Sequence, residues 1–150
     1  MGAINYYTSD YITIGYNCNN LDYEDDFTYY YCEAIFEQVR ELLNGENFYY
    51  FHVALKPGYY EGFSLDIEFN FAYCIDSWQD RRDAQKEITR IYKFLLKCIN
   101  DFNLCAVSPG WCTAYYDYNE SLKRLKQAIK EMRATVQNTP TWATIRKMEA

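Results

Sequence analysis

Hydrophobic and polar positions change period several times along this chain, and each change marks an element. From Tyr11 to Tyr16 (YITIGY) the pattern alternates, with Ile12, Ile14 and Tyr16 on one side, which predicts a short strand. Asn17 to Asp26 (NCNNLDYEDD) is polar and acidic and reads as a loop. From Phe27 to Leu43 the period becomes helical. Tyr31, Ile35, Val39 and Leu42 share a face, Asp25 or Asp26 can cap the start, and Asn44-Gly45 can stop the end. Phe48 to Leu55 is apolar or aromatic almost throughout, as for a strand buried on both faces. Pro57-Gly58 and Gly62 bracket an expected turn. Phe63 to Ala72 then alternates strictly. Phe63, Leu65, Ile67, Phe69 and Phe71 take one side, and Ser64, Asp66, Glu68 and Asn70 the other.

The second half repeats the helical period twice. Ser77-x-x-Asp80 resembles a capping box, and Ala84, Ile88, Ile91, Leu95, Cys98 and Phe102 form a continuous stripe behind it. A fourth strand is expected at Leu104 to Val107, interrupted by Pro109-Gly110. A last long helix spans Glu120 to Val136, with Asn119 as its cap and Leu122, Leu125, Ile129, Met132 and Val136 as its stripe. Thr139-Pro140 can open a short terminal helix pinned by Trp142 and Ile145. The expectation is a single α+β domain over residues 1–150, with 139–150 as a short C-terminal extension. Its order is β-α-β-β-α-β-α, with an antiparallel or mixed four-stranded sheet and helices on one face. A ferredoxin-like variant fits that order.

Composition adds little to this outline, but charge adds more. A chain of 150 residues suits one domain and removes ~70% of its unfolded surface from water. Its 17 Tyr supply large rings whose hydroxyls need partners. Met1 to Asp76 holds thirteen acidic and two basic residues, whereas Ser77 to Ala150 holds eight acidic and thirteen basic. Two halves of one fold can attract each other with such charges. They can equally build one acidic surface that repels nucleic acid and suits a basic groove. The start MGAINYYTSD has no signal-peptide pattern, and no apolar run reaches the ~20 residues of a membrane span, so a cytoplasmic protein without a membrane partner is expected. Six Cys without a secretory signal are expected to be reduced.

The candidate partner-binding surface is acidic: Asp22, Glu24, Asp25, Asp26, Glu33 and Glu37, with Asp66 and Glu68 from the alternating strand. The alternative is a nucleotide site in which Tyr59 and Tyr60 stack a base while Arg81 and Arg82 hold phosphate. A third reading uses His52, Asp66 and Glu68 as acid-base groups and ranks last. No nucleophile, P-loop or dinucleotide motif accompanies them, so no catalytic residue is assigned and the chain is read as not an enzyme. His52 is the single histidine and no Cys-x-x-Cys occurs, so neither metal nor cofactor is expected.

NYYTSDYITIGY, GYYEGFSLDIEFNF, DAQKEITRIYKFLLKCI, the PGW turn and SLKRLKQAIKEM with the later TPTW together resemble small proteins encoded by phages and mobile elements of gut and related bacteria. The resemblance covers the first strand and most of Phe48 to Trp142, leaving Asn17 to Asn47 as the variable part. It carries over no catalytic residue. It implies a phage setting in a bacterial host, where small acidic proteins without enzyme motifs inhibit host defence, anti-CRISPR proteins among them. The expected partner is then a nucleic-acid-binding defence protein. The alternative becomes a sponge for a nucleotide signal, and the oligomeric state stays open.

Overall fold

The chain runs in the order β1 (Tyr11–Asn17), α1 (Asp26–Asn44), β2 (Phe51–Gly58), β3 (Ser64–Phe71), α2 (Trp78–Phe102), β4 (Ala106–Pro109) and α3 (Tyr118–Asn138). The computed structural model describes residues 11–17, 26–58, 64–71, 75–102, 106–109 and 117–140, and the side chains at 30, 33–56, 65–71, 75–102 and 117–140. β2 and β3 form an antiparallel hairpin running from Phe51↔Phe71 to Gly58↔Ser64. β1 pairs antiparallel with β3, and β4 antiparallel with β1, giving the backbone order β2-β3-β1-β4.

The alternation of β3 sets the layers. Leu65, Ile67, Phe69 and Phe71 are fully buried on one face, where each contributes about 1.5–3 kcal/mol by leaving water. Phe69 sits at the centre, with its ring 5.5 Å from Phe48 and 6.0 Å from Phe94, both edge to face. Against this face lie Ile35 and Val39 of α1 and Ala84, Ile88, Ile91, Leu95 and Cys98 of α2. Leu125, Ile129, Met132 and Val136 of α3 complete one cluster.

The picture of a domain organised on a four-stranded sheet, antiparallel or mixed and ferredoxin-like among its variants, needs correction. The molecule is mostly helical: helices of 19, 25 and 21 residues make up about 70% of its regular structure. The physical reason is the width of the helical stripes. α2 buries side chains on two adjoining sides, so it closes on α3 as well as on the hairpin. Among the described side chains the helices thus supply most of the buried core.

Three boundaries also differ from the sequence reading. β2 starts at Phe51, not Phe48, because the Tyr49 and Tyr50 N–H groups donate to the Glu87 carboxylate instead of a neighbouring strand. Pro57-Gly58 belongs to β2 and is not the turn; β2 is the edge strand, where a proline costs no central ladder bond. Asp117, not Asn119, caps α3, its Oδ1 accepting from the Glu120 N–H at 2.8 Å. The capping box at Ser77 and Asp80 forms as expected. Asp80 Oδ2 accepts from the Ser77 N–H at 3.1 Å, and Ser77 Oγ accepts from the Asp80 N–H at 3.2 Å.

α2 is the polar hub as well as the apolar one. Glu87 accepts from Tyr49 and Tyr50 at 2.9 and 3.0 Å. Arg90 donates to Glu46 at 2.9 Å and to the Asn47 carbonyl at 2.7 Å, with its guanidinium 4.7 Å from the Phe48 ring centre. On the other flank, Arg133 of α3 donates to the Gln85 carbonyl and Thr89 Oγ1 at 3.1 and 2.8 Å. These bonds fix both ends of the hairpin approach and the antiparallel seat of α3.

Candidate functional site

The acidic surface expected from the sequence divides into two. Asp22, Glu24 and Asp25 lie outside the described residues, and Asp26 opens α1. Glu33, Glu37 and Glu41 follow at helical spacing on the side of α1 opposite buried Ile35 and Val39. Glu37 holds Arg40 at 2.6 Å, an ion pair about half exposed on both sides and therefore weak. Asp66 and Glu68 lie across the sheet, on the face of β3 that turns away from Leu65, Ile67 and Phe69. The fold does not bring them beside the α1 row.

The outer face of the hairpin is a site of its own. Register places Lys56 opposite Asp66, Ala54 opposite Glu68 and His52 opposite Asn70. His52 is therefore exposed on the same face as Asp66 and Glu68, which settles the side it takes. Lys56 Nζ reaches Glu68 at 2.8 Å. Asp66 is half-buried. Burial pushes its carboxyl above the ordinary aspartate value, Glu68 adds to the rise, and Lys56 pulls against it. The Asn70 Oδ1 is buried and has no hydrogen-bond partner among the described residues. This face holds charge at an energetic cost, but among the described residues no nucleophile stands beside it and no group of three or more His, Cys, Asp or Glu is placed to hold a metal ion.

The nucleotide alternative is placed differently. Tyr59 and Tyr60 lie outside the described residues. Arg81 and Arg82 both stand in the first turns of α2, but their donors have different uses. Arg81 donates to the carbonyls of Val136, Gln137 and Thr139 at 2.6, 2.5 and 2.9 Å, satisfying the end of α3. Arg82 is exposed and lies 5.3 Å from the ring centre of Trp78, itself 68% exposed.

The chain matches no family model, no curated protein and no solved structure. The reading of function therefore rests on its own surfaces. Two of these are grooves that the sequence pattern alone does not show. A groove of about 480 Å³ runs between the ends of α1 and α2, lined by Glu41, Leu42, Lys97, Asp101 and Phe102, with Lys97 paired to Asp101 at 2.8 Å. A second groove, of about 440 Å³, follows α3 past Lys123, Lys126 and Lys130. Helical spacing alone puts these lysines on one face, but it cannot tell which lysines tertiary partners neutralise. Cys98, the cysteine whose side chain is described, is buried in the core with its thiol pushed up to about 12 by burial, so it is a packing residue rather than a nucleophile. No helix among the described residues is long and apolar enough to cross a membrane.

Proposed function

We propose that this chain is a non-enzymatic binding protein whose acidic α1 face occupies a basic groove of a nucleic-acid-binding effector. In the phage setting that the resemblance implies, the effector is a host antiviral defence protein and binding inhibits it. The observation that carries the reading is the Glu33, Glu37 and Glu41 row. Like charges four residues apart cost a helix about 0.2–0.5 kcal/mol per pair. Carboxylates toward a helix C-terminus also oppose the macrodipole, and the last turn of α1 has no basic residue to offset them. The half-exposed Glu37–Arg40 pair offsets this only weakly, so the row fits a surface kept for a partner. The nucleotide reading has less support, because Arg81 is committed to α3.

The test is capture of partners from a host lysate, followed by affinity measurement with the purified partner. The expected result is binding that weakens steeply with salt, and a loss of about 100-fold for E33K/E37K/E41K with the helical CD spectrum retained. Unchanged affinity of the triple variant sinks the proposal.

A further inference from the structure

The helical layer carries its charge unevenly from one side to the other. α2 packs against both α1 and α3, and α3 also lies on β4 and β1. The outward face of α1 presents Glu33, Glu37 and Glu41, while α3 presents Lys123, Lys126 and Lys130 beside Asn119, Leu122 and Gln127 in a groove of about 440 Å³. The other described cations of α3 have partners: Arg124 pairs with Glu120 at 3.1 Å, and Arg133 bonds α2. Among the described residues the three lysines make no ion pair or hydrogen bond. Three neighbouring cations on one helix face repel each other, as the α1 carboxylates do.

The two rows match in length. At a rise of about 1.5 Å per residue, Lys123 to Lys130 spans roughly 10 Å and Glu33 to Glu41 roughly 12 Å. We propose that the acidic α1 row of one copy docks in the lysine groove of α3 on a second copy, so that the protein associates with itself head to tail. The surfaces differ, so the contact is heterologous and each copy keeps one free donor and one free acceptor face until a ring closes. A nucleic acid is the poorer occupant. The chain has a net charge of −6, and its α1 row would repel a phosphate backbone. This inference goes beyond effector binding but uses the same α1 row, so self-association and effector binding compete for that row.

Sedimentation velocity over a concentration series tests it, at low salt and again at about 1 M salt, where charges are screened within about 3 Å. Mass that rises with concentration at low salt and returns to monomer at high salt is expected. K123E/K126E/K130E and E33K/E37K/E41K are each expected to be monomeric. An equimolar mixture of the two is expected to associate again, because the reversed rows complement each other. The α1 reversal removes net negative charge, so its loss of association cannot come from self-repulsion. A monomer throughout at low salt overturns the proposal. So does association that survives either reversal, or a mixture that stays monomeric. A wild type that stays monomeric while the lysine row binds single-stranded RNA overturns it in favour of nucleic acid. The lysine variant keeps the α1 row, so its capture of an effector reports on the proposed function separately.

Discussion

Asp66 shows what the outer face of the hairpin costs at the level of one residue. Its carboxyl is held above the ordinary range first by burial and then by Glu68, against the pull of Lys56. A raised carboxylate pKa means the folded state holds its proton more tightly than the unfolded chain does. Ionisation of Asp66 therefore opposes folding, and its cost grows as pH rises through the folded pKa. Asp80 has the opposite sign. The Tyr50 hydroxyl donates to it at 2.7 Å and holds its carboxyl low, so its stabilisation is complete above the ordinary aspartate value and is lost as pH falls through the lowered one. Asp66→Asn is expected to stabilise the fold at neutral pH by on the order of 1 kcal/mol or less, because burial and Glu68 together outweigh the pull of Lys56 on the carboxylate. The gain should vanish in acid, where Asp66 is protonated in both states. Urea unfolding across the acid-to-neutral range checks this, and a variant no more stable than wild type at neutral pH contradicts it.

At the scale of elements, α2 decides which basic residues are structural and which are available. Arg81 and Arg82 are neighbours in sequence, and a phosphate site would use both. Arg81 instead closes the C-terminal carbonyls of α3, while Arg82 rests on exposed Trp78. Arg81→Ala is expected to lose about 1–3 kcal/mol, because it leaves partly buried carbonyls without donors. Arg82→Ala is expected to stay within about 0.5 kcal/mol of wild type. Thermal denaturation of the pair checks this, and equal losses would reject the division. The same contrast shows what was legible in the sequence. Apolar stripes such as Ile88, Ile91 and Leu95, the buried side of β3 and the Ser77-Asp80 cap follow from local period and short-range chemistry, and all are present. The start of β2 depended on Glu87, which lies 37 residues from Tyr50, and no local pattern reports such a bond. The acidic set was legible as composition. Its division between α1 and the far face of β3 was not, because only packing shows on which side of the sheet a helix lies.

For the whole molecule, the question is whether hairpin and helices form one folding unit. Buried residues of β2, β3, α1, α2 and α3 belong to a single cluster, in which α2 packs on α1, on α3 and on Phe69 of β3. Polar bonds add to this coupling: Glu87 and Arg90 tie α2 to the approach of β2, and Arg81, Gln85 and Arg133 tie it to α3. A unit joined through one central helix unfolds in a single step, so different probes report the same transition. Leu95 is fully buried on α2, and Leu95→Ala is expected to cost about 2–5 kcal/mol through lost contact and a residual cavity. Far-UV CD reports the helices and near-UV CD reports the packed tyrosines and phenylalanines, and both midpoints in urea should shift together. If the near-UV transition moves while the far-UV transition stays, α2 and α3 hold together as a helical pair without the hairpin. In that case the acidic row of α1 would sit on a separable element, free to change its position relative to the lysines of α3.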